Sequence, residues 1–110
     1  MTPDAIQVVT TVASQQDAQR LAKALVERRL AACVQVAGPI ASTYWWQGQL
    51  ETATEWQCIV KTRRSRYADV ETAIRQLHPY TTPEILAVAI EAGSADYLGW
   101  LADEVPPAGP

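Results

Sequence analysis

Asparagine and phenylalanine are missing from this chain, and histidine occurs once. Without asparagine, acylphosphatase-type chemistry, which sets an arginine in a phosphate-cradling loop beside an asparagine, has no place here. The lone histidine, His78, would have to carry any Ser/His/Asp or Cys/His site by itself, and Gly-x-Ser-x-Gly is absent. The five glycines form no Gly-x-Gly-x-x-Gly phosphate loop. Cys-x-x-Cys and His-x-x-x-His metal spacings are also absent. No catalytic residue is expected, and the protein is read as a non-enzyme. Basic charge is scarce too: 9 Lys and Arg against 12 Asp and Glu give a net charge of -3, which argues against a nucleic-acid or other phosphate-binding surface. No apolar run approaches the roughly 20 residues of a membrane helix, so no membrane contact is expected. Residues 1–14 lack the basic start and continuous apolar stretch of a signal peptide, and the expected compartment is the cytoplasm.

What the chain does have is a long β-prone stretch from Ala32 to Thr62 around the turn signal Trp46-Gln47-Gly48-Gln49. Val34, Val36, Ile40, Tyr44, Trp45 and Trp46 lead in, and Leu50, Trp56, Ile59 and Val60 lead out. Each arm exceeds the usual strand of about five or six residues. A hairpin that long outruns the cover one small domain provides, and free apolar edges aggregate unless something pairs with them. Copies of the same chain are therefore expected to cover it. Tyr44, Trp45, Trp46 and Trp56 read as packing in that seam rather than as a ligand cage, given the area each buries. With Gln47-Gly48 as a two-residue turn, Cys58 faces Ala37, about four rows from Cys33. That separation is beyond disulfide reach, and both thiols are expected to stay reduced. Gly38-Pro39 is the expected kink or bulge.

Around the hairpin, Ile6 to Ala13 alternates as a first strand. Ser14 caps a helix carrying Ala18, Leu21, Ala22 and Leu25 on one face and ending near Leu30, with Arg28 and Arg29 in its last turn. Ser65 is the expected cap of a second helix bearing Tyr67, Val70, Ile74 and Leu77, stopped by Pro79. Ile85 to Ile90 reads as a strand covered on both sides. A short helix with Ser94 as cap carries Tyr97, Leu98 and Leu101. The order is β-α-β-β-α-β plus a terminal helix: an α+β, ferredoxin-like antiparallel sheet with a long central hairpin. Residues 1–104 form one domain, and 105–110 a loose, Pro-rich tail. The sheet face opposite the two main helices needs cover, from association or from the third helix.

The densest chemical candidate is His78-Pro79-Tyr80-Thr81-Thr82-Pro83-Glu84, where two prolines stiffen a connector holding His78, Tyr80 and Glu84. Two readings of His78 stand side by side: a metal ligand, or a cap on the second helix with Tyr80 packed on the hairpin. The basic run Lys61-Thr62-Arg63-Arg64-Ser65-Arg66 reads as a solvated strand end and helix start.

Several blocks together resemble the CutA divalent-cation tolerance family: Leu30-Ala31-Ala32-Cys33, Ser42-x-Tyr44-x-Trp46-x-Gly48-x-Leu50, Glu55 with Lys61-Thr62, His78-Pro79-Tyr80-x-x-Pro83-Glu84-Ile85 and Tyr97-x-x-Trp100-Leu101. They follow the family's order across residues 6–101. The resemblance implies a ferredoxin-like homotrimer whose hairpins pair between subunits, with Cys33, Lys61, Tyr80, Glu84 and Trp100 in inter-subunit clefts. It also implies binding of Cu(II) or another divalent cation. In bacterial members linked to copper the ligands are a first-strand cysteine and a histidine pair. Here Thr10 and Leu77 occupy two of those positions, and His78 remains. The competing readings are a PII-like small-molecule sensor using Lys61, Tyr80, Glu84 and Trp100, and a trimeric scaffold with protein partners.

Overall fold

The computed structural model describes residues 4–108; the first three residues of the expected domain and the last two of the expected tail lie outside them. Strand β1 runs Ala5–Val12, helix α1 Gln15–Glu27, strand β2 Cys33–Trp46 and strand β3 Gln49–Arg63. A 3-10 turn at Arg64–Arg66 leads into helix α2 at Tyr67–Leu77, followed by strand β4 at Leu86–Ala89 and helix α3 at Ala95–Glu104. The four strands form one antiparallel sheet in the order β2-β3-β1-β4, the ferredoxin-like arrangement expected.

The hairpin follows from its turn. Gln47 and Gly48 both take positive φ, 51° and 78°, the combination whose twist matches that of the flanking strands. Pairing runs from Trp46↔Gln49 to Ile40↔Glu55, then slips by one residue at a bulge between Ala37 and Ile40. The bulge contains a cis Gly38-Pro39 bond. Gly38 is required there by space: a Cβ would sit 2.7 Å from Cδ1 of Trp56. The slip places Cys58 opposite Val36, not Ala37. Both cysteines are free.

Alternation in β1 divides the sheet into two faces. Ile6, Val8, Thr10 and Val12 join Cys58 and Val60 under α1 and α2, where Leu21, Leu25, Val70 and Ile74 complete the core. Thr10 is fully buried, and its hydroxyl has no hydrogen-bond partner. An unpaired buried hydroxyl costs about 1–3 kcal/mol. Thr10→Val is therefore expected to raise stability by about 1–2 kcal/mol, read as a higher urea midpoint at unchanged slope.

Several local expectations are corrected. Helix α1 ends at Glu27 rather than near Leu30, so Arg28 and Arg29 lie beyond its last turn. Arg29 adopts φ 59°, and the N–H groups of Arg29 and Leu30 donate to the Val26 and Leu25 carbonyls, closing a Schellman turn. Ser14 caps as expected, its Oγ accepting from Asp17 N–H at 3.1 Å. Ser65 does not cap α2: it sits inside the 3-10 turn, and Arg66 occupies the cap position without a side-chain capping bond. Ser94 likewise makes no side-chain cap bond.

Strand β4 is not covered on both sides within one chain. It is the sheet edge, and all four of its residues are exposed. Helix α3 covers only the opposite end of the open face, near Cys33 and Arg63. Val105, expected in the tail, is fully buried. The basic run is not simply solvated: Arg63 Nε donates to the Val105 carbonyl and Nη2 to the Ala102 carbonyl, each at 2.6 Å. Among the described residues no helix is long and apolar enough to cross a membrane.

Candidate functional site

Helix α2 ends because His78 precedes Pro79, and the residue before proline is driven out of helical conformation; His78 has ψ 134°. Its N–H still donates to Ile74, so it is the helix cap. Its ring is buried, with Nε2 2.7 Å from the Thr11 carbonyl and Nδ1 3.1 Å from Tyr80 N–H. Because Nδ1 accepts, Nε2 must carry the proton and donate. Both ring nitrogens are thus spent on backbone groups. The imidazole ties the connector to the end of β1 and sits 4.7 Å from the Tyr80 ring, centroid to centroid.

Tyr80 in turn reaches the hairpin, its hydroxyl donating to Glu55 Oε2 at 3.1 Å. Burial, then the hydrogen bond and negative charge of Glu55, push the Tyr80 phenol up to about 12 from its ordinary 10. A raised phenol favours the folded state while protonated. The contribution is complete below pH 10 and is lost as pH rises through about 12. Glu55→Gln removes the carboxylate and is expected to shift the latest-titrating tyrosine downward, measured by phenolate absorbance.

The Tyr80–Glu55 link spans a cleft of about 760 Å³ between the hairpin and the connector. On the hairpin side it is lined by Ser42, Thr43, Tyr44, Trp46 and Glu55; on the connector side by Pro79, Tyr80, Thr81, Thr82 and Glu84. In the sequence Glu55 stands out only within a family block. Its place opposite Tyr80 is a tertiary contact between connector and hairpin, which no local pattern of residues fixes.

The expected cleft residues fall into two groups. Tyr80 and Glu84 line this cleft. Cys33 and Lys61 lie instead at α3, the helix that carries Trp100: Cys33 pairs with Lys61 across the strands, its Sγ lies 3.7 Å from the Tyr97 hydroxyl, and Tyr97 packs on Trp100 at 5.5 Å. Lys61 Nζ donates to Gln35 Oε1 at 3.1 Å. Of the expected seam residues, Tyr44 and Trp46 line the cleft, Trp45 is 73 % exposed, and Trp56 is half-buried against the core. Thr10 lies in the core, and Leu77 packs against it. Among the described residues, no group of three or more His, Cys, Asp or Glu side chains is arranged to hold a metal ion.

The sheet order, the overhanging hairpin and the latched connector define a ferredoxin-like α+β protein with a cleft at the hairpin's side. The profile of the CutA1 divalent ion tolerance protein family matches residues 6–104, and the chain belongs to that family. The divalent-cation tolerance protein CutA of Archaeoglobus fulgidus is 44% identical over 98 residues, covering 89% of this chain and 95% of that one. The crystal structure of CutA from Xylella fastidiosa superposes with a TM-score of 0.91 at 36% identity, over 94% of this chain and 99% of that one. A structure of the Archaeoglobus fulgidus protein, described as a periplasmic divalent cation tolerance protein, gives 0.90 at 42% identity, over 93% and 99%.

Proposed function

We propose that the chain acts in divalent-cation tolerance, copper included, as a homotrimeric binding protein rather than an enzyme, holding an ion or a small ligand where subunits meet. The supporting observation is apolar surface left open by a single chain: Trp45 is 73 % exposed, Leu50 63 %, and Leu86 and Val88 57 % each. Such surface on a sheet edge and a hairpin tip is characteristic of an interface. Hairpins pairing between three copies would cover it. The same association would set the Cys33, Lys61 and Trp100 group of one subunit beside the Tyr80 and Glu84 group of the next. Light scattering is expected to give three times the 12.1 kDa chain mass; a single-chain mass overturns the trimer.

A metal ion at His78 would have to displace either Tyr80 N–H or the Thr11 carbonyl. The single-chain geometry therefore favours the small ligand over the ion at this cleft. Titration with Cu(II) separates the two: equal heats from the wild type and His78→Ala remove His78 from metal binding. The cytoplasm remains part of the proposal, while the Archaeoglobus protein is described as periplasmic. Fractionation of the native cell decides the compartment.

A further inference from the structure

We propose that Lys61 of the partner subunit supplies the counter-charge of Glu55, an ion pair between copies that fixes the register in which they dock. The inference rests on the trimer proposed above and names a contact that holds it. Glu55 is 6 % exposed, and among the described residues its side chain is bonded to the neutral Tyr80 hydroxyl and to no cation. A carboxylate removed from water is costly unless a positive partner reaches it.

The sheet itself holds the complement. By the two-residue period of β3, Glu55, Gln57, Ile59 and Lys61 share the open face, opposite the buried Cys58, Val60 and Thr62. Among the four strands the cations are Lys61 and Arg63, and Arg63 is spent on Val105, Ala102 and Asp4. Lys61 keeps a neutral partner, the Gln35 amide oxygen. Six residues of extended strand separate Lys61 from Glu55, about 20 Å, so the two cannot meet within one chain. Between them the face is apolar: Ile59 pairs with Val9, and Val9 with the exposed Leu86 of β4. An apolar centre with an acid at one end and an ammonium at the other is complementary to a second copy of itself. The apolar centre supplies the area, and the charges select the register in which Lys61 of the partner subunit reaches Glu55.

The test is charge reversal on the intact protein, with association read by light scattering and sedimentation over a dilution series and folding by circular dichroism. Lys61→Glu is expected to raise the concentration at which the assembly dissociates at least ~10-fold, because two carboxylates then face each other. Adding Glu55→Lys to it should recover most of that loss, since the pair is restored with its signs exchanged. Should Glu55→Lys fail to fold, the near-isosteric Glu55→Gln decides. Lys61→Glu should then dissociate the assembly more readily than Lys61→Gln in the presence of Glu55, and no more readily in the Glu55→Gln background. Effects at the two positions that simply add overturn the ion pair while the trimer stands. A wild type of single-chain mass overturns both.

Discussion

Arg63→Ala is expected to destabilise the protein by about 3 kcal/mol and to release helix α3 first. The side chain is 21 % exposed, and its guanidinium reaches three acceptors: the Val105 and Ala102 carbonyls and, at 3.2 Å, Asp4 Oδ2. Two of these lie at the carbonyl end of α3, where a positive charge is worth most. Each charge-assisted bond contributes about 1.5–3 kcal/mol, and alanine would leave the carbonyls without their partner. Hydrogen exchange should show α3 amides losing protection well before those of β1. Uniform loss across the chain would mean that α3 is not a separable unit.

Val88→Asp is expected to convert the proposed trimer into folded single chains. Within one chain Val88 is 57 % exposed on an edge strand, where a charge costs little, within about 0.5 kcal/mol, and blunts edge pairing. In an assembly that buries this face the same aspartate would be desolvated without a partner, at a cost of several kcal/mol. The two cases separate cleanly. Light scattering falling to one chain with circular dichroism preserved places β4 in the interface. An unchanged mass places the contact elsewhere, at the Trp45 and Leu50 tip.

The fold was legible where residues act locally. The turn at Gln47-Gly48 predicted pairing correctly from Trp46↔Gln49 to Ile40↔Glu55, because a two-residue turn sets register by itself. Pro39 announced the bulge, but its size of one residue depends on Gly38 packing under Trp56, a tertiary contact. Ser65 looked like a cap, yet the 3-10 turn after β3 moved the helix start past it. Val105 reads as tail in the sequence because the Arg63 side chain that holds its carbonyl lies 42 positions away.

The candidate site was legible in half. The stiffness of 78–84 follows from two prolines, and both readings of His78 were visible; the hydrogen bonds realise the capping one. Cys33, Lys61 and Trp100 stand in other family blocks than Tyr80, and a single chain gathers them at helix α3, away from the connector. Sequence order carries no information about which subunit completes a cleft. Glu55 carries no signal outside its family block, because its burial and its bond to Tyr80 are tertiary.

Cys58 supplies a built-in clock for breathing of the sheet. Its side chain is wholly enclosed in the core on the central strand β3, and burial pushes its thiol up to about 11. Alkylating reagents cannot touch it while β3 is seated, whereas half-exposed Cys33 offers a second, faster site in the same molecule. Mass spectrometry of doubly against singly tagged chains over time would then count how often the sheet comes apart, with no denaturant.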